Sequence, residues 1–141
     1  MIAALVAAIF LNGTLVGCSK PRAAVSSNEV LTKTLLQQAM ANEFTPSREV
    51  LVDHVEIPPN TTMDWHSHPG EEFHYYLEGE VELAFDGSPS IVGTPGTVAH
   101  VPYKKVHTVI TRGKGVKIVV FRVHTKGEPV RTLETKNAPA K

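Results

Sequence analysis

From residue 48 onward the chain is a succession of short β-forming runs, each closed by glycine or proline, and few folds accept such a pattern. Residues 50–57 are rich in branched side chains and stop at Pro58-Pro59-Asn60. Residues 73–77 and 81–85 follow, the second ending at Asp86-Gly87, a hairpin turn signal. A short run at 90–92 precedes Gly93-Thr94-Pro95-Gly96, and runs at 97–101 and 107–110 flank Pro102-Tyr103-Lys104-Lys105. Arg112-Gly113-Lys114-Gly115 then leads into 116–124, the longest of them. Branched and aromatic side chains suit a pleated, half-buried surface, and Gly and Pro set the turns between. Many short strands at this spacing predict a sandwich or barrel. With 141 residues the chain has room for one such domain and not two.

The N-terminal end reads differently. Residues 2–16 are mostly apolar and end in Leu15-Val16-Gly17-Cys18. A run this short, broken by Asn12 and Gly13, fits the apolar region of a signal peptide better than a membrane span. Leu-Val-Gly-Cys resembles the lipobox of bacterial lipoproteins, in which the cysteine is lipidated and the chain is cut before it. The expectation is a signal peptide over 1–17, lipidation at Cys18, and a protein anchored in the bacterial cell envelope, facing the periplasm or exterior. One departure stands beside it: no Lys or Arg precedes the apolar run. Cys18 is the only cysteine, so an intrachain disulfide is excluded. Residues 18–28 are small and polar and read as a tether, 29–131 as the β domain, and 132–141 as a frayed tail. Within the domain, 29–44 is ambiguous. Ser26-x-x-Glu29 has the form of a helix capping box, whereas Val30-Leu31-Thr32-Lys33-Thr34 suits a strand.

Fourteen basic and fourteen acidic residues balance, which removes any electrostatic reason to expect nucleic acid. The seven histidines are the unusual item, because neutral imidazole is the commonest protein metal ligand. Residues two apart in a strand share a face, so His66 and His68 present their rings side by side. Glu72 follows across Pro69-Gly70, a turn able to bring its carboxylate back to the same place. The spacing offers two nitrogens and one oxygen to one ion, and a further ligand must come from elsewhere.

His66-x-His68-x3-Glu72-x6-Gly79 resembles the first motif of the cupins, and Gly96-x5-Pro102-x4-His107 resembles the second. The likeness runs from about Leu35 to Lys126 and is nearest to the small single-domain cupins grouped with quercetin dioxygenase. It implies an all-β, jelly-roll-like double-stranded β-helix barrel, with 30–38 as its opening strand. It also implies one divalent metal ion (Fe, Mn, Ni, Cu or Zn) held by His66, His68, Glu72 and His107. Three positions depart from the pattern: Asn60 and Lys104 stand where glycine is usual, and Thr111 where asparagine is. None is a ligand, and asparagine tolerates a left-handed turn.

If the strand after Glu72 is regular, His74 and Tyr76 look into the barrel as candidate catalytic acids or bases. Arg122 shares its strand face with His124 and is a candidate anchor for a substrate carboxylate. Asp64 has the parity of His66 and is a candidate partner for its ring, while His54 and His100 read as ordinary strand or surface residues. The resemblance implies a metal-dependent, dioxygenase-like enzyme acting on a small organic molecule. A redox-silent lyase or isomerase is one alternative, and a non-catalytic lipoprotein that binds a metal or small ligand is another. Small cupins often pair through their outer sheet faces, so a homodimer is also expected.

Overall fold

A computed structural model describes residues 29–136 apart from 42–44 and 46. The proposed signal peptide, Cys18 and the tether lie outside the described residues. Ten strands and no helix are described: β1 (Leu31–Ala39), β2 (Arg48–Ile57), β3 (His66–Ser67), β4 (Gly70–Glu78), β5 (Val81–Phe85), β6 (Ser88–Gly93), β7 (Val98–Val101), β8 (His107–Thr111), β9 (Val116–Thr125) and β10 (Thr132–Leu133). They form two antiparallel five-stranded sheets, ordered β1-β2-β9-β4-β7 and β10-β3-β8-β5-β6. Within the ambiguous segment, Leu31–Ala39 is a strand: it pairs with β2 along Leu31↔Glu56 to Ala39↔Glu49, and the sheet ladder takes up backbone groups that a helix would have paired internally.

Alternation places the core. In β2 and β9 every second residue is buried, and the inward set changes character along each strand. Val116, Ile118 and Val120 give way to Arg122 and His124 on β9; on the antiparallel β2, Ile57 and Val55 give way to Asp53. On β4 the inward Tyr76 is followed toward the strand start by His74 and Glu72. One end of the barrel is therefore packed with aliphatic side chains, joined by Val81, Leu83 and Val109 from the other strands. The other end collects buried polar groups, and the site belongs there.

Two motif glycines take a positive φ, and one of them is also a site of close approach. Gly79 has φ +78°, and a Cβ on it would lie 1.9 Å from the Gly115 carbonyl oxygen. Gly96 has φ +82° in the turn before β7. Where the chain departs from the motif, the backbone conformation is kept: Asn60 has φ 55° and Lys104 φ 57°. Lys104 then donates its amide to the His68 carbonyl oxygen at 3.1 Å, so the left-handed turn ties the second motif to the first.

Candidate metal centre

Three imidazoles converge. His66 on β3 pairs directly with His107 on β8, and their ring centroids are 4.3 Å apart. His68, one residue past β3, lies 4.9 Å from the first ring and 5.2 Å from the second. Their possible donor atoms all fall within 4.8 Å of one another, and all three residues are buried.

Each ring is turned by the same device. Nδ1–H of His66 donates to the Asp64 carbonyl oxygen at 2.7 Å, that of His68 to Val130 at 2.6 Å, and that of His107 to Lys105 at 3.0 Å. A carbonyl oxygen only accepts, so the proton sits on Nδ1 and the lone pair on Nε2. Nε2 of His68 and of His107 is buried with no hydrogen-bond partner. Glu72 faces them: Oε2 lies 3.1 Å from Nε2 of His68, and Oε1 lies 3.7 Å from Nε2 of His107. Acceptor set against acceptor is unfavourable unless a cation lies between, and buried polar atoms rarely go unpaired. The residues present fit a divalent metal ion.

Glu72 is held ionised by its surroundings. Burial alone would raise its carboxyl, but His74 and Arg122 beside it outweigh burial and hold it well below the usual carboxylate range. Arg122 donates Nε–H to Glu72 Oε2 and Nη1–H to Asp53 Oδ2, both at short range. His74 Nε2–H donates to Glu72 Oε1 at 2.6 Å, which leaves Nδ1 to accept the Tyr76 hydroxyl at 3.3 Å. Burial pushes the Tyr76 phenol up, so it stays a donor. His66 is driven the other way: burial and the neighbouring His107 lower it from 6.5 to about 4, which keeps it neutral.

These directions fix the acid behaviour. A histidine lowered in the fold contributes stability that is full above about 6.5 and is lost as pH falls toward 4. A depressed carboxyl such as Glu72 adds a second loss below its ordinary 4.5. Stability of the metal-free protein therefore declines from pH 6.5 downward, read as a falling Tm. His66→Gln should flatten the part of the decline between 6.5 and 4.5; an unchanged slope would contradict the assignment of that part to His66.

Beside the histidines lies a cavity of about 540 Å³, lined by His66, His68, Asp53, Arg122, Leu51 and Met63 among others. The sequence-predicted residues divide around it. Arg122 faces inward and lines it, but its guanidinium is engaged by Glu72 and Asp53 rather than open for a bidentate clamp. His74 and Tyr76 also face inward, beneath Glu72, and neither lines the cavity. Asp64 serves His66 through its backbone carbonyl, while its side chain is exposed. His54 is half-buried and His100 exposed, each beside a glutamate.

Sequence reasoning missed the strap that follows β9. The segment from Thr132, read as a tail, begins by pairing with β3, Thr132↔Ser67 and Leu133↔His66. Glu134 accepts the Ser67 hydroxyl at 2.8 Å and donates its amide to the Trp65 carbonyl oxygen at 2.8 Å. Val130 supplies the oxygen that orients His68, and Glu128 accepts Nε2–H of His124 at 2.9 Å. A two-residue strand has too little pattern to be read from sequence. Because partners that orient metal-ligating histidines typically contribute ~10–100-fold to metal affinity, truncation after Gly127 should weaken zinc binding by that order in a chelator competition. Unchanged affinity would make the strap a mere cover.

The sequence matches the cupin domain family model over residues 53–124, half of the chain. The chain belongs to the cupins. Solved structures agree on the fold. A cupin-like protein from Thermotoga maritima superposes with TM-score 0.59 at 18% identity, covering 78% of this chain and 79% of that one. A polyketide cyclase from Streptomyces resistomycificus gives TM-score 0.57 at 20% identity, with 77% and 74% covered. A DMSP lyase structure gives TM-score 0.56 at 18% identity over 61% of this cupin, which spans only 44% of that chain. Among curated proteins none matches this sequence.

Proposed function

We propose that this cupin is a metal-dependent enzyme that holds one divalent ion through His66, His68, Glu72 and His107 and acts on a small organic molecule in the adjoining cavity. The observation that carries the reading is the set of inward lone pairs: three imidazoles locked by backbone carbonyls, with two orphaned Nε2 atoms facing an ionised carboxylate. Three nitrogens and one oxygen leave positions open on a six-coordinate ion, unlike a closed structural zinc site. When bound, the ion supplies Lewis acidity toward an anionic substrate and, if redox-active, dioxygen chemistry. The chain's own residues do the positioning. Arg122 and His74 fix the Glu72 carboxylate, Tyr76 fixes the tautomer of His74, and Leu51, Val55 and Met63 give the cavity a partly apolar wall.

Two reactions suit this arrangement. Dioxygen-dependent cleavage follows from the resemblance to quercetin dioxygenase-like cupins. Redox-silent lyase or isomerase chemistry is supported by the shared fold of a DMSP lyase and a polyketide cyclase. Protein loaded separately with Fe, Mn, Ni, Cu or Zn and offered small aromatic diols and enolic acids separates them. Oxygen uptake with redox-active metals and none with zinc identifies the oxygenase; turnover under argon, zinc included, identifies the lyase. Binding without turnover under any metal leaves a non-catalytic metal- or ligand-binding protein. We also propose lipid anchoring at Cys18 in the bacterial envelope, which rests on the sequence; Cys18→Ser protein that still sediments with membranes would contradict it.

A further inference from the structure

Four buried side-chain atoms lack a hydrogen-bond partner among the described residues: Nε2 of His68, Nε2 of His107, Nδ1 of His124 and Oδ1 of Asp53. The metal accounts for the first two. His124 does not line the cavity, whereas Asp53 does, alongside His66, His68 and Arg122. Asp53 is 3% exposed and spends Oδ2 on Arg122, so Oδ1 is a buried acceptor with nothing to accept from. Buried polar atoms in native interiors are rarely left this way, and one beside a ligand cavity marks the place of a missing donor.

Charge narrows what brings that donor. Asp53 and Glu72 are both carboxylates on one guanidinium, Arg122, and the three metal-binding imidazoles are neutral. With His74 as the neutral tautomer, its Nε2–H on Glu72 and its Nδ1 accepting from the Tyr76 hydroxyl, the cluster alone carries one net negative charge, and a divalent ion turns it into one net positive charge. In a buried site that excess is balanced by a single anionic group. At the rim, Arg131 and Asp64 are exposed and of opposite sign, so selection by charge falls to the interior.

We propose that Asp53 is a ligand-recognition residue, whose free Oδ1 takes a hydrogen bond from an O–H or N–H group of a monoanionic organic ligand bound by its charged end at the metal. This rests on the metal-site reading above. The row Asp53–Arg122–Glu72 crosses β2, β9 and β4, so the acceptor and the metal-facing carboxylate are held in fixed relation by one guanidinium. Thr32 and Thr34 from β1, the latter opposite Asp53, line the same wall and add hydroxyls around the donor's position.

The test uses full-length, zinc-loaded protein, with zinc content measured first and calorimetric titration second. The probes are benzoate, the three hydroxybenzoates, and their methoxy ethers. At least one hydroxybenzoate should bind about tenfold tighter than its methoxy ether, the usual gain from a hydrogen bond to a charged acceptor. Isophthalate, a dianion, should bind no tighter than benzoate. In Asp53→Asn, Arg122 keeps the amide oxygen and turns Nδ2 into the place of Oδ1, replacing an acceptor by a donor. Zinc content should then be unchanged while the preference for hydroxyl over methoxy disappears. With zinc bound, no hydroxyl preference in the wild type, or the same preference in Asp53→Asn, overturns the proposal and leaves the metal site standing. Failure of the wild type to bind zinc removes both. Should Asp53→Asn fold poorly, the wild-type comparison of hydroxyl with methoxy decides alone.

Discussion

Arg122→Ala lowers the stability of the metal-free protein by about 3–5 kcal/mol, the usual consequence of removing one partner from a buried ion pair. The guanidinium stands between Asp53 and Glu72, which are 3% and 1% exposed. Without it two carboxylates remain in the interior, and His74 supports only one of them. Arg122→Lys recovers part of the loss, because a single ammonium does not reproduce the forked geometry that serves both acids at once. The pH dependence identifies the cause. Protonating the stranded carboxylates removes their desolvation penalty, so the deficit relative to wild type narrows in acid even as the wild type itself weakens. Denaturant titrations at pH 7.5 and pH 5 read both effects. A loss below about 1 kcal/mol, the range of an exposed pair, with no narrowing in acid would show that the network is solvated and that Arg122 is not its keystone.

Much of this was legible in the sequence, and the residues show why. Strand parity and the Pro69-Gly70 turn put His66, His68 and Glu72 near one ion, the resemblance to the second cupin motif added His107, and the three imidazoles do lie within reach of one another. Strand parity correctly sent His74 and Tyr76 inward, and put Arg122 on one face with His124 without saying which way that face points; the structure turns it inward. Parity says nothing of depth, however. It did not distinguish a side chain that borders the cavity from one sealed beneath Glu72, and it gave Arg122 to a substrate when two internal carboxylates take it up. Asp53 passed unnoticed for a related reason: an acid inside a β run looks like an ordinary alternation until the register of β2 on β9 sets it diagonally beside Arg122. The strap over His68 had no sequence signal, because the groups that do the work are the backbone oxygens of Val130 and Glu128, which any residue would supply. The choice between helix and strand was likewise settled for 31–39 by a partner, β2, and not by local propensity.

The account turns on whether these side chains hold a metal. Four convergent ligands imply about one divalent ion per chain, bound more weakly in acid because the imidazoles must be neutral. The direct measurement is the metal content of purified protein after saturation with zinc and gel filtration, for the wild type and for the His66→Ala, His68→Ala double variant. Removing two of the four donors leaves His107 and Glu72, and a pair is too few to compete with water and buffer for the ion. The wild type should carry close to one equivalent at pH 7.5 and lose it toward pH 5, and the double variant should carry essentially none while keeping its β-rich circular dichroism. A full equivalent retained by the folded double variant would place the metal elsewhere and contradict the account.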